Sequence, residues 1–132
     1  RTQQVGDAAS TVSQYPAVRE KMVKLQQSLA EHSSVVMDGR DIASKVLPNA
    51  DTKIYLTASV EERARRRANE LREKGEVCDI AEVEAEIRAR DDRDMHRQHS
   101  PLIQVPEAVL VDSSTLTIDE TIDRILEICM QH

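Results

Sequence analysis

The stretch VVMDGRD at residues 35–41 decides the fold, because a short apolar run ends there in a glycine between charged residues. We predict a β-strand over residues 34–37 followed by a loop. In open α/β sheets, the loops after the carboxyl ends of the strands form the ligand site. Asp41 can accept hydrogen bonds from an amino group or hold a metal-bound water, Arg40 can bind a phosphate or carboxylate, and Gly39 permits close approach of backbone and ligand. A plain polar turn with satisfied charges is the alternative for so short a motif.

The composition limits the possible classes of protein. The 132 residues suffice for one domain with a modest core, and that core lacks Trp and Phe. The net charge of −6 argues against a general binder of nucleic acid or membrane surfaces. Cys78 and Cys129 suggest no disulfide framework and fit a reducing, cytoplasmic compartment. The chain shows no membrane-spanning run and no signal peptide, and because it begins with Arg1 we expect a fragment.

Periodicity and capping signals predict five helices around three short strands. The predicted helices cover residues 2–13, 16–31 and 59–74, then a stretch from 79 that ends before Pro101, and finally a stretch from 118 onward. The predicted strands are 34–37, 53–57 and 108–111, and capping boxes are expected at 59–62, 79–82 and 117–120. Alternation of strands and helices predicts an α/β fold with a parallel sheet covered on both faces. Three strands make a thin sheet for so many helices, which suggests a missing upstream part.

Two helices should bury an apolar stripe against that sheet. The predicted stripes are Val18, Met22, Leu25 and Leu29 in the second helix and Ile118, Ile122, Ile125, Leu126 and Cys129 in the last helix.

Arginines are concentrated in the helix predicted over residues 59–74. Arg63, Arg66 and Arg67 share one helix face by their spacing of three and four. One interpretation is a solvated face supported by the pairs Glu61–Arg65 and Glu62–Arg66. The other is a mobile lid whose arginines close over phosphate groups.

The next helix has an apolar stripe that becomes charged halfway along. Its members are Ile80, Val83, Ile87, Arg90, Asp94 and Arg97. Because burying an unpaired charge costs several kcal/mol, the charged half must meet partners, water or a ligand. Arg90, Asp94 and Arg97 are close enough to pair with one another. Alternatively, the helix enters a polar cleft that receives a charged ligand bearing hydroxyl groups.

Other chemistries find little support in the sequence. His96 and His99 straddle a predicted helix end and make a poor zinc site, and Ser113-Ser114 lacks the context of a nucleophile elbow. The chain contains no G-x-x-x-x-G-K-[ST] motif.

Seven motifs in order resemble the bacterial cytidylate kinase family of nucleoside monophosphate kinases. They are VGDAAS at 5–10, AVRE at 17–20, MDGRDI at 37–42, LPNADTKIYLTAS at 47–59, EERARRR at 61–67, RARDDRD at 88–94 and VDSS at 111–114. The resemblance covers essentially the whole chain and the carboxyl-terminal three-fifths of the family. It implies an incomplete P-loop NTPase-like parallel sheet flanked by helices, with a helical lid and without the first strand and phosphate loop.

The resemblance also implies the boundaries of a single partial kinase domain. Residues 1–13 end the monophosphate-binding insert, 14–58 and 98–132 belong to the core, and 59–97 form the lid region and its helices. The absent first strand would lie between residues 34–37 and 53–57. Its absence would leave rows of backbone donors and acceptors unpaired, so we expect residues 1–132 alone to be marginally stable.

The implied reaction is transfer of the γ-phosphoryl group of ATP, with Mg²⁺, to CMP or dCMP. The positions that match the family's monophosphate site are Ser10, Arg19, Arg40, Asp41, Arg90, Asp94 and Arg97. Arg63, Arg66 and Arg67 match the lid and are the catalytic candidates, and no metal ligand is assigned in the chain. The implied partners are CMP, dCMP and ATP, with neither nucleic acid nor membrane, and the complete protein is expected to be a monomer.

The missing phosphate loop leaves a second functional class open. We expect the fragment alone to be inactive, and a non-catalytic nucleotide-binding or assembly module derived from such a kinase is the alternative. A nucleic-acid binder built on the basic helix is a third class, which the net charge of −6 opposes.

Overall fold

The computed structural model describes residues 2–96 and 101–131 and shows an α/β arrangement. The elements in chain order are α1 (Gln3–Val12), α2 (Pro16–His32), a π-helical turn (Ile42–Val46), β1 (Ile54–Thr57), α3 (Val60–Glu73), α4 (Ile80–His96), β2 (Val109–Asp112) and α5 (Ile118–Met130). The five helices predicted from the sequence are confirmed, with ends that differ by one or two residues.

The sheet consists of β1 and β2, which run parallel. Ile54 is opposite Val109 and Thr57 is opposite Asp112. Parallel neighbours need a long crossover connection, and α3 and α4 supply it here. The parallel pairing and the strands predicted at 53–57 and 108–111 are therefore confirmed.

The strand predicted at residues 34–37 is wrong for this structure. Residues 34–38 adopt no regular secondary structure, and their backbone forms no hydrogen bond with any described residue. Val36 is fully exposed. The physical reason is the lack of a neighbour, because a strand is stabilised by the ladder it forms and by the face it buries. Among the described residues, only β2 pairs with β1.

The helix ends follow the capping signals closely but not completely. Thr117 and Glu120 form the reciprocal capping box predicted for α5. At α3, Ser59 accepts from the Glu62 backbone N–H at 3.2 Å, but the Glu62 side chain binds arginines instead of closing the box. The carboxylate of Asp79 accepts from the backbone N–H of Ala81 at the start of α4. Gly75, with φ of 80°, follows α3 as the predicted left-handed stop.

The core is small and lies mainly around α3 and the strand ends. Ala64 and Ala68 of α3 are fully buried, and Val83 of α4 and Val111 of β2 are nearly so. Alanines at i and i+4 allow the two helices to approach closely. The arrangement fixes α3 and α4 against each other beside the carboxyl ends of the strands.

The apolar faces predicted for α2 and α5 are not buried. Leu25 and Leu29 of α2 are 55% and 57% exposed, and Ile118 and Leu126 of α5 are 80% and 53% exposed. Only Ile128 of α5 is buried, a residue that the stripe did not include. The prediction failed because periodicity identifies an apolar face but not a surface that covers it. No helix of the described residues is long and apolar enough to cross a membrane.

The exposed apolar faces predict the behaviour of residues 1–132 when they are expressed alone. We expect a weakly cooperative unfolding curve and binding of a hydrophobic dye, because uncovered apolar stripes add little stability and favour association. Differential scanning calorimetry measures the unfolding transition, the fluorescence of the dye measures exposed apolar surface, and sedimentation velocity measures association. A sharp transition at about 45–65 °C from a monomer, as in ordinary mesophilic domains, would contradict the expectation.

Candidate functional site

Two consecutive residues of opposite charge, Arg40 and Asp41, connect three parts of the chain. Asp41 is buried and pairs with the guanidinium of Arg19 on α2. Arg40 pairs through its Nε with the carboxylate of Asp94 on α4, which is also buried. The loop at 38–41 is therefore not a solvated turn, and the charges of Arg40 and Asp41 are satisfied by residues of two different helices.

The backbone on both sides of Asp41 is unusual. Gly39 has a φ of 158°, and a Cβ atom there would lie 3.0 Å from Cγ1 of Ile42. The space that a side chain at position 39 would occupy is therefore limited by the Ile42 side chain. After Asp41 the chain forms the π-helical turn, with the N–H of Val46 donating to the Asp41 carbonyl at 3.3 Å. Such turns are rare and occur frequently at functional sites.

The π-helical turn is tied to α2 by a residue that the sequence did not single out. Gln27 donates from Nε2 to the carbonyl of Val46 at 3.0 Å, and Val46 is 1% exposed. This contact holds the turn against the helix that carries Arg19. A glutamine on a helix surface gives no sequence signal for such a bond.

Two arginines on the helices that pair with the loop, Arg19 on α2 and Arg90 on α4, have unused donors. The Nε atoms of Arg19 and Arg90 are buried and have no hydrogen-bond partner among the described residues. A buried donor without an acceptor costs about 1–3 kcal/mol, so each such group calls for an explanation. Arg19 pairs with Asp41 through a terminal nitrogen, and Arg90 lies one helical turn before Asp94 on α4, so each of these arginines is close in the chain or in space to a buried carboxylate. The cluster can accept a ligand that carries acceptors for arginine and donors for carboxylate.

The alternative in which Arg90, Asp94 and Arg97 pair among themselves is tested only in part by the described residues. Asp94 pairs with Arg40, and its carbonyl accepts from the N–H of Leu102 at 2.7 Å. Arg97 and His99 lie outside the described residues. Ser10 is half-buried on α1, and the described residues include no contact between it and the charged cluster.

The three arginines predicted to form a lid are held by other parts of the protein. Arg66 donates to the carbonyl of Ser113 at 2.6 Å, and Arg67 donates to Gln3 at 3.1 Å and pairs with Glu70. Arg63 forms a bidentate bond to Asp91 of α4. Hydrogen bonding to that carboxylate raises the pKa of Arg63 above its usual value.

The predicted ion pairs along α3 are partly confirmed. Glu62 pairs with Arg66 as expected, and also with Arg65 at 2.6 Å. Glu61 does not pair with Arg65 but with Arg88 of α4, at 3.1 Å. The prediction considered pairs within one helix only, whereas the close packing of α3 and α4 supplies a partner across the interface.

No group of three or more metal-ligating side chains occurs within residues 2–96 and 101–131. His96 contacts Asp92 on its own helix, at 3.1 Å. Cys78 and Cys129 are free thiols, as expected from their positions.

The Glu62 carboxylate predicts a pH dependence of stability. Hydrogen bonds from Arg65 and then Arg66 lower its pKa from 4.5 to about 2. A lowered pKa gives stability that is complete above the ordinary value and is lost as the pH falls from about 4.5 towards 2. We expect Glu62→Gln in the full-length protein to lower the free energy of unfolding at pH 6 and to change it little near pH 2.

Urea unfolding at a series of pH values measures this difference. Glu73→Gln, an exposed carboxylate on the same helix, is the matched control. A destabilisation by Glu62→Gln that stays constant from pH 6 to pH 2 would contradict the assignment.

Comparison with known proteins identifies the family to which the sequence is similar. The family model described as cytidylate kinase matches residues 1–131. Curated cytidylate kinases are similar to the chain: that of Symbiobacterium thermophilum is 46% identical over 98% of this chain. The proteins of Desulfitobacterium hafniense and Caldicellulosiruptor saccharolyticus are 49% and 50% identical over 97% and 91% of it.

These matches cover 57%, 55% and 53% of the three relatives, so the chain spans little more than half the length of the curated proteins. The range matched by the family model nevertheless covers residues 1–131, which include the loop at 38–41 and the helix that carries Asp94. The chain therefore belongs to the cytidylate kinase family.

Proposed function

We propose that the full-length protein transfers the γ-phosphoryl group of ATP to CMP or dCMP. An oxygen of the acceptor phosphate attacks the γ-phosphorus, the bond to the bridging oxygen breaks, and ADP leaves. The observation that carries the proposal is the charged cluster of Asp41 with Arg19 and Arg40 with Asp94, in which both carboxylates are buried and the Nε of Arg19 is a buried donor without a partner among the described residues. A cytidine monophosphate offers both the donors and the acceptors that such a cluster needs.

Asp41 and Arg19 are the proposed readers of the base. The exocyclic amino group of cytosine donates, and its neighbouring ring positions accept, whereas uracil has a carbonyl in place of the amino group. Cytosine can thus replace the ion pair between Asp41 and Arg19 by one hydrogen bond to each. Arg97 is proposed to donate to the ring as well. Uracil would place an acceptor against the Asp41 carboxylate.

The sugar and the acceptor phosphate are assigned to the other side of the cluster. Asp94 is proposed to accept from the ribose hydroxyls, with Ser10 and Arg90 near the sugar. Arg40 is proposed to bind the acceptor phosphate, for which its planar guanidinium is well suited. Because Arg40 pairs with Asp94 in this structure, the phosphate must compete with that carboxylate.

Arg66 and Arg67 are the proposed lid arginines. Both pair with glutamates of their own helix, and pairs of this kind contribute little stability, so a phosphate group can compete with these carboxylates. Arg66 would also have to release Ser113, to which its terminal nitrogens donate. Arginines that neutralise the transferred phosphoryl group can raise the rate about 10³-fold or more. Arg63 differs, since both of its terminal nitrogens donate to one carboxylate of another helix, that of Asp91 on α4.

The ATP site requires more than these 132 residues. The proposed complete fold is a P-loop NTPase-like parallel sheet, and the chain contains no phosphate-loop motif, so we expect residues 1–132 alone to be inactive. Mg²⁺ would enter with ATP, held by phosphates and water in the usual manner of nucleotide enzymes. The proposal places the protein in the cytoplasm as a monomer that acts on free nucleotides.

A coupled assay of ADP release tests the proposal. The full-length protein is supplied with ATP, Mg²⁺ and either CMP, dCMP, UMP or AMP, and we expect the highest kcat/KM with CMP or dCMP. Binding of CMP by calorimetry without ADP release would favour the non-catalytic alternative. A preference for UMP or AMP would overturn the assignment of the base.

Asp41→Ala provides the residue-level prediction for this site. We expect the KM for CMP to rise about tenfold or more and the preference for CMP over UMP to fall, because the amino group of cytosine loses a charged acceptor. Initial-rate kinetics with both acceptors measure the change. Asp38→Ala, at an exposed aspartate of the same loop, is the control and should leave selectivity unchanged. An unaltered CMP to UMP ratio in Asp41→Ala would remove this residue from base recognition.

A further inference from the structure

Two ion pairs connect α3 with α4, and they differ in their surroundings. Glu61 and Arg88 are joined at 3.1 Å with side chains that are 69% and 54% exposed. Arg63 and Asp91 are joined at 2.6 Å with side chains that are 35% and 31% exposed. Exposed pairs contribute little, whereas a bidentate, half-buried pair of arginine and carboxylate fixes geometry as well.

Arg63 is held by two separate parts of the structure. Its Nε donates to the carbonyl of Ala58, the residue after β1, at 3.0 Å. Its two terminal nitrogens donate to the two carboxylate oxygens of Asp91, at 2.9 and 2.6 Å. The planar guanidinium therefore joins the end of the sheet to α4 in a single rigid group.

Asp91 occupies a particular position on α4. It follows Arg90 directly and precedes Asp94 by three residues, so it lies within one helical turn of both. A helix rotates as a unit, and holding the Asp91 carboxylate against Arg63 sets the direction in which Arg90 and Asp94 point. The buried residues of α4 are Asp94 and Val83, and Val83 lies near the opposite end of the helix from Asp94.

We propose that Asp91 is a positioning residue for the acceptor nucleotide. Through Arg63 it fixes the rotation of α4 relative to the end of β1, and this rotation presents Arg90 and Asp94 to the charged cluster. The inference rests on the proposed function, because it assigns to Asp91 the alignment of that same site. It also gives Arg63 an alignment role in place of direct contact with the transferred phosphoryl group.

Kinetics of the full-length protein test the inference. We expect Asp91→Ala to raise the KM for CMP about tenfold, within the range of coupling between contacting residues, with the KM for ATP and kcat changed less than about twofold. Asp91→Asn, which keeps the shape of the side chain, should give a smaller change of the same kind. Asp91→Glu, which restores the carboxylate, should lie nearer to the parent protein than Asp91→Ala.

A double substitution separates alignment through Arg63 from an independent effect. Adding Asp91→Ala to Arg63→Ala should raise the KM for CMP no further than Arg63→Ala alone. The matched control is Glu61→Ala, which removes the exposed pair between the same two helices and should leave all constants unchanged. Thermal unfolding of each variant reports the folded fraction.

The outcomes distinguish this inference from the proposed function. A loss of kcat in proportion to the unfolded fraction, with an unchanged KM for CMP, would make the pair merely structural and overturn the inference. Independent, multiplying effects of Arg63→Ala and Asp91→Ala would also overturn it. A parent protein without activity on CMP would overturn the proposed function itself, and with it the role of Asp91.

Discussion

The loop at 38–41 organises this chain because two adjacent residues of opposite charge are buried or half-buried and reach different helices. Asp41 pairs with Arg19 on α2, and Arg40 pairs with Asp94 on α4. A buried carboxylate without a partner would cost several kcal/mol, so each pair must form if the helices are to pack where they do. The same pairs neutralise the charges of the loop. Packing of the chain and the proposed recognition of a nucleotide therefore depend on one set of side chains.

The carboxyl ends of the two strands provide the second organising feature. Arg63 donates to the carbonyl of Ala58 after β1, and Arg66 donates to the carbonyl of Ser113 after β2. The backbone N–H and hydroxyl of Ser113 in turn donate to the carbonyl of Thr57, at 2.8 and 3.1 Å. The first turns of α3 are thus fixed to both strands.

Local signals in the sequence predicted the elements well, because caps and periodicity are set by nearby residues. The capping box at Thr117 and the stop at Gly75 are examples. Burial was predicted poorly, since an apolar stripe such as that of α2 gives no information about what covers it. Asp41 and Asp94, which the sequence singled out as candidates, are both buried in the structure, and their roles in binding stay proposals. Their partners, and the bond between Arg63 and Asp91, were missed because contacts over 22, 54 and 28 residues leave no periodic trace.

The pairing of Asp41 with Arg19 has a consequence for redesign of the base preference. A substitution at position 41 alone changes the group that is proposed to face the base and also leaves the partly buried guanidinium of Arg19 without its counterion. A variant with new base specificity would then also be less stable. A screen for activity would discard such a variant because too little of it is folded, even where its base recognition is as intended. Libraries that vary positions 19 and 41 jointly, with their summed charge held constant, would avoid this confusion. The unit of specificity in this site is a pair of residues rather than a single side chain.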